Sequence, residues 1–223
     1  MCGIAGFIDT DFNNLEINKI INCMTKAISH RGPDDEDNWV DQNLGLAFCH
    51  TRLSIIDLST NGKQPMHSYS NRFVIVFNGE IYNYKSLKKL LIDKGVLFKT
   101  NTDTEVLLNL FEFYDTKTVL NLIDGMFSFA LLDKKSKILI LAKDRFGEKP
   151  LYYSNFGNNK NNFIFASDLN SIIAYPKFQK KINNVAASLM LRYSYIPSPL
   201  SIYENVFKLR AGHFLSLDLS RKK

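Results

Sequence analysis

Several features are scarce in this 223-residue chain, and each scarcity excludes a class of protein. No apolar run approaches the roughly 18 residues of a membrane helix. Met1-Cys2-Gly3 lacks the basic stretch that opens a signal peptide. A soluble, cytoplasmic protein with no membrane partner is therefore expected. Cysteine is limited to Cys2, Cys23 and Cys49, with no C-x-x-C spacing, which argues against a disulfide framework and makes Cys23 and Cys49 candidate buried thiols. His30, His50, His67 and His213 show no metal-ligand spacing and read as structural, so no metal site is expected. The net charge of +6 invites a nucleic-acid reading. Lysines such as Lys85, Lys88 and Lys89 are not interleaved with stacking aromatics, however, and read as solvated faces, so no nucleic acid is expected.

What is present begins at the amino terminus. Removal of Met1 would leave Cys2 with a thiol and a free α-amine, whose reference pKa values are about 8.5 and about 7.7–8.0. The amine could then take the thiol proton and activate the sulfur as a nucleophile. A papain-like pairing of Cys2 or Cys49 with His50 is a second arrangement these residues allow.

Residues 3–8 read as a buried strand and 15–28 as an amphipathic helix with Leu15, Ile20, Ile21, Met24, Ala27 and Ile28 on its apolar stripe. A charged turn at 31–37 precedes short strands at 38–40 and 44–49. Residues 58–66 form a polar loop, a candidate lid. The β-branched run 73–77 predicts a strand buried on both faces that stops at Asn78-Gly79-Glu80, and Asn-Gly by itself is the commonest hairpin signal. A helix is expected at 85–94 with Leu87, Leu90 and Leu91 inward. Thr102 caps the next helix, with Glu105 three residues on and Asp103 as a first-turn acid. A short helix at 118–123 and a hairpin of 125–133 with 137–143 follow. Strands are then expected at 151–154 and 163–166 around a loose turn at 155–162, helices at 169–175 and 185–193, a strand around 213–217, and a basic tail. Elements cluster instead of alternating strictly, which predicts α+β with mostly antiparallel sheets.

Taken in order, Met1-Cys2-Gly3-Ile4-Ala5-Gly6, His30-Arg31-Gly32-Pro33-Asp34, Arg52-Leu53-Ser54-Ile55, Phe77-Asn78-Gly79-Glu80-Ile81-Tyr82-Asn83, Thr102-Asp103-Thr104-Glu105, Gly125-Met126-Phe127 and Asp144-Arg145-Phe146-Gly147 closely resemble the glutaminase domain of asparagine synthetases. The resemblance implies a four-layer αββα sandwich of the N-terminal nucleophile hydrolase type. It makes Cys2 the nucleophile on the side-chain amide of L-glutamine, and Asn78 with the backbone N–H of Gly79 the oxyanion hole. Arg52 and Asp103 match the positions that hold the substrate carboxylate and ammonium, and Ile55, Ile56 and Glu80 match further substrate contacts. A γ-glutamyl thioester would form and be hydrolysed without a cofactor.

The chain departs from the family pattern at Asp37 and at Arg210-Ala211-Gly212-His213. It also has no Gly-Gly, and so lacks the phosphate-cradling loop of a synthetase domain. ATP and Mg are expected only for that absent domain, which would be the ammonia-accepting partner; a homodimer is a further possibility. The expected organisation is a glutaminase domain at 2–193 and a connecting segment at 194–223. The rival readings are a catalytically silent binding or scaffold module, and a glutaminase half serving a non-aspartate acceptor.

Overall fold

Strand alternation sets the architecture. The computed structural model describes residues 1–156 and 162–220; the middle of the turn expected at 155–162 and the basic tail fall outside them. In chain order come β1 (Gly3–Ile8), α1 (Asn14–Lys26), β2 (Asp35–Asp41), β3 (Leu46–Arg52), β4 (Met66–His67) and β5 (Phe73–Ile81). Next are α2 (Tyr84–Ile92), α3 (Asp103–Leu110), α4 (Thr116–Leu122), β6 (Gly125–Asp133) and β7 (Ile138–Lys143). The last are β8 (Tyr152–Phe156), β9 (Asn162–Ala166), α5 (Leu169–Ile173), α6 (Asn184–Tyr193), β10 (Val206–Lys208) and β11 (Phe214–Asp218).

One sheet runs β10-β8-β9-β1-β3-β2 and the other β11-β7-β6-β5-β4, with antiparallel pairing throughout. On β5, Phe73, Ile75 and Phe77 pack with Leu87 and Leu91 of α2 and Val106, Leu107 and Leu110 of α3. The alternate residues Val74 and Val76 face the other way, into a core shared with Ile4, Ile8, Leu46 and Phe48 of the first sheet. On β1, Ala5 and Phe7 point away from that core and pack with Ile17, Ile21 and Met24 of α1 and Ile172 of α5. Successive strand residues serve opposite faces, so three apolar layers hold four layers of structure: α1 with α5, two sheets, and α2 to α4. This is the αββα sandwich expected.

Local differences have local causes. The helix at α1 opens with a reciprocal cap: Asn13 Oδ1 accepts the Glu16 N–H at 3.1 Å and Glu16 Oε2 accepts the Asn13 N–H at 2.9 Å. Leu15 then falls in the first turn and is 81% exposed, while Ile17 takes the stripe position. Cys23 lies on the outer face of α1 and is exposed, not buried, whereas Cys49 is buried. Leu90 is only partly covered, because α2 turns Leu87 and Leu91 inward.

The acids at 35–37 are not a turn. They open β2, an edge strand whose backbone pairs with His50 to Arg52 while Glu36 and Asp37 stay in water. Nor does β5 stop at Asn78: the strand continues, Asn78 opposite Ser128 and Gly79 opposite Phe127. The ladder with β6 overrides the local hairpin signal. Strands β4 and β10, of two and three residues, have no period to read. Within the segment expected to be a connection, β10 pairs with β8 and β11 with β7.

Candidate active site

At one end of the intersheet layer the apolar side chains give way to polar ones. Cys2 shares the even parity of Ile4 and Ile8, Arg52 that of Leu46 and Phe48, and Asn78 and Glu80 that of Val74 and Val76. Alternation alone therefore points all four toward the gap between the sheets. They meet in a cavity of about 260 Å³ that is also lined by Ile55, Ile56, Gly79 and Asp103, so all eight expected site residues share one space.

The cysteine end is fixed by backbone. Leu53 N–H donates to Cys2 Sγ at 3.4 Å and Sγ–H reaches Leu53 O at 3.6 Å. Arg31 Nε–H holds the Cys2 carbonyl at 3.2 Å. Gly32 lies so close to β3 that a Cβ there would stand 2.4 Å from the Thr51 carbonyl carbon. Asp34 Oδ2 accepts the Ser54 N–H at 2.7 Å. The Arg-Gly-Pro-Asp motif thus braces Cys2 and the loop after β3. Burial pushes the Cys2 thiol up, against the Leu53 hydrogen bond and the positive charges of the amino terminus and Arg52.

His50 plays another part. Its Nε2 lies 3.2 Å from the Phe77 carbonyl, where the N–H tautomer ties one sheet to the other. Burial lowers its pKa to about 4, so the ring is neutral. Cys2 bonds to Leu53, not to this ring, and Cys49 packs against α1 on the outer face of β3, which removes the papain-like arrangement for both cysteines.

The edge of β5 shows how the site is built. Tyr82 N–H bonds to Asp124 O on the β6 side, so the pleat directs the N–H groups of Phe77, Gly79 and Ile81 to the opposite side. Strand β4 is too short to cover them, pairing only with Val74 and Ile75. Gln64 Oε1 accepts the Phe77 N–H at 2.6 Å and Asp103 Oδ2 accepts the Ile81 N–H at 2.8 Å. Between them the Gly79 N–H is directed toward the cavity. Glycine is required here, because a Cβ would come within 2.3 Å of the Met126 carbonyl oxygen. Beside it the Asn78 side chain is 1% exposed and its Nδ2 has no hydrogen-bond partner among the described residues.

The two charged poles are held differently. Arg52 Nη1 donates to Ser59 O at 2.7 Å and Nη2 to Asp57 O, so the guanidinium also pins the loop that follows β3. Asp103 opens α3 behind the Thr102 cap, where the helix dipole favours an anion. Burial nevertheless raises its pKa to about 6, outweighing the backbone N–H groups of Ile81 and Thr104. Ile55 is 69% exposed and contributes to the cavity from the loop, while Glu80 is half-buried at the end of β5.

Among the cavity residues that escaped the reading of the sequence are Gln64 and Lys149. Gln64 is buried, its Nε2 reaching Thr104 Oγ1 at 3.3 Å, but in sequence it is one polar residue of a polar loop. Lys149 is 8% exposed and lines the cavity, although it sits in a charged stretch that reads as surface. The turn before it is wound about the Asp144 carboxylate, which accepts N–H groups from Phe127, Phe146, Glu148 and Lys149.

Known proteins share both the sequence and the fold. The family model "glutamine amidotransferase domain" matches residues 1–223. The chain is 40% identical to a putative asparagine synthetase (glutamine-hydrolyzing) 2 of Methanocaldococcus jannaschii, covering 100% of this chain and 45% of the relative. It is 38% identical to asparagine synthetase (glutamine-hydrolyzing) 2 of Bacillus subtilis over 99% of this chain and 29% of the relative. Amidase chry2 of Gibberella zeae is 32% identical over 96% of this chain and 32% of its own. The chain thus spans less than half the length of these curated relatives. The solved glutamine phosphoribosylpyrophosphate amidotransferase of Bacillus subtilis superposes with a TM-score of 0.65 at 18% identity, over 99% of this chain and 50% of its own, a likeness of fold. With its full length matched by the family model, the chain belongs to the glutamine amidotransferase domain family.

Proposed function

We propose that this domain hydrolyses the side-chain amide of L-glutamine through a thioester on Cys2 and delivers the ammonia to an ATP-dependent, asparagine synthetase-type domain. One observation carries the reading. A buried Asn78 amide whose N–H group has no partner among the described residues lines the cavity together with Cys2. A buried donor left without a partner costs about 1–3 kcal/mol, and a developing oxyanion is the partner it lacks.

The steps follow from the residues. With Met1 removed, the Cys2 amine accepts the thiol proton and the thiolate attacks the amide carbon. The oxyanion is held by Asn78 Nδ2 and the Gly79 N–H, donors worth about 2.7–4 kcal/mol each in such a position. The amine returns the proton, ammonia leaves, and water releases glutamate. Arg52 binds the α-carboxylate in a fork and Asp103 the α-ammonium, while Glu80, Ile55 and Ile56 complete the pocket. This half needs no cofactor; ATP and Mg serve the acceptor domain. Residues 2–193 carry the glutaminase site, and 194–223 lead toward its partner while β10 and β11 of that segment complete the two sheets.

The test is the release of glutamate and ammonia from glutamine by protein whose intact mass shows Met1 removed. Processed protein with no turnover, or a Cys2→Ala variant as active as wild type, would sink the reading and leave the scaffold alternative.

A further inference from the structure

Arg52 and Asp103 lie on different elements, yet a zwitterion can be gripped only if their separation is fixed. One residue touches the supports of both. The Asp57 carbonyl accepts from Arg52 Nη2, and Asp57 Oδ1 accepts the N–H of Ser59 at 2.8 Å, the residue whose own carbonyl takes Arg52 Nη1. Its second carboxylate oxygen accepts the Asn101 N–H at 3.0 Å, two residues before Asp103.

The Ser59 contact is a local turn of the kind any loop can form. The Asn101 contact is not local, since it spans 44 residues and joins the loop after β3 to the start of α3. We propose that Asp57 is a positioning residue that fixes the distance between Arg52 and Asp103, so that the cavity selects ligands carrying both an α-carboxylate and an α-ammonium. The inference rests on the glutaminase reading.

An ionised carboxylate suits this place because it is acceptor-only and can take one N–H from each segment. The Asn101 and Ser59 bonds hold its pKa down to about 2, so it stays ionised at neutral pH. Asparagine would turn its NH₂ toward one of the two N–H groups, leaving two donors facing each other. Asp57→Asn keeps the shape and breaks the tie.

The experiment compares wild type with Asp57→Asn and Asp57→Ala in two assays. In glutamine hydrolysis, both variants should raise KM about tenfold to a hundredfold with kcat held within about threefold, the signature of lost ground-state and transition-state binding alike. In alkylation of Cys2, a zwitterionic glutamine-like diazoketone should react slower by a similar factor, while neutral iodoacetamide should react at the wild-type rate. Equal slowing with both reagents would mean that Asp57 only keeps the loop folded, and an unchanged KM would mean that it positions nothing; either overturns the proposal. A wild-type protein that fails to hydrolyse glutamine takes down the glutaminase reading and this inference with it, and does so before any variant is made.

Discussion

Phe77 and Ile81 turn their backbone N–H groups the same way, one onto Gln64 Oε1 at 2.6 Å and the other onto Asp103 Oδ2 at 2.8 Å, with Gly79 midway between. Gln64 does for β5 what a neighbouring strand would do. Gln64→Leu should leave the Phe77 N–H unsatisfied, at a cost of about 1–3 kcal/mol, and let the edge that presents the Gly79 N–H shift. Chemical denaturation should show the stability loss, and kcat for glutamine should fall further than the fraction unfolded explains.

Asn78 should show activity and stability pulling apart. Asn78→Ala removes a donor to the oxyanion and should lower kcat about 10²–10³-fold with little change in KM. The same change deletes a buried N–H that has no partner among the described residues, so the melting temperature should hold or rise. A melting temperature that falls with kcat would assign Asn78 a packing role instead.

Burial raises the Asp103 carboxyl to about 6, and only its ionised form attracts an ammonium. The kcat/KM for glutamine should therefore climb as pH rises through about 6 on the acid side of the profile. Asp103→Asn keeps an acceptor for the Ile81 N–H but loses the charge. It should cost more than about tenfold in kcat/KM and flatten that limb, which initial rates across the pH range would show.

Stability should respond to acid through two opposed groups. For His50 the folded value, about 4, lies below the unfolded value near 6.5. The unfolded chain then binds the extra proton, and stability is lost as pH falls through that window. For Asp103 the folded value, about 6, lies above the unfolded value near 3.8, so the folded chain holds the extra proton and stability is gained as pH falls. Each is worth at most about 3 kcal/mol, and in wild type they largely offset. Asp103→Asn should lose more melting temperature than wild type between about pH 7 and about pH 4.5, and His50→Gln should lose less.

Much of the sandwich was readable because its strands are long enough to show a period or an unbroken β-branched run. The bounds of β1 and β6 match the sequence reading, and the helices fall within a few residues of it. Elements whose form is imposed from outside were not readable. Asn78-Gly79 looks like a turn because those two residues favour one, and only the ladder to Ser128 and Phe127, nearly fifty residues on, keeps them extended. The acids of β2 look like a loop because an edge strand needs no apolar face. Among site residues, Cys2 was marked by its place after Met1, and Arg52 and Asp103 by motif resemblance; strand parity brings Cys2 and Arg52 together, while Asp103 reaches the cavity from the first turn of α3. Gln64 and Lys149 carry no signal of their own, since burial of a polar side chain is decided by what folds over it.

The pairing of β11 with β7 bears on how the domain can be isolated. Its register runs from Phe214 opposite Ala142 to Asp218 opposite Ile138, and Leu219 N–H closes it on Lys137 O at 2.9 Å. A fragment stopped at residue 193 would lay bare the hydrogen-bonding rim of Ile-Leu-Ile-Leu, a template on which a second molecule can add its own strand. Such a fragment should precipitate or grow fibrils, and the shortest piece that stays dispersed should extend past Leu219.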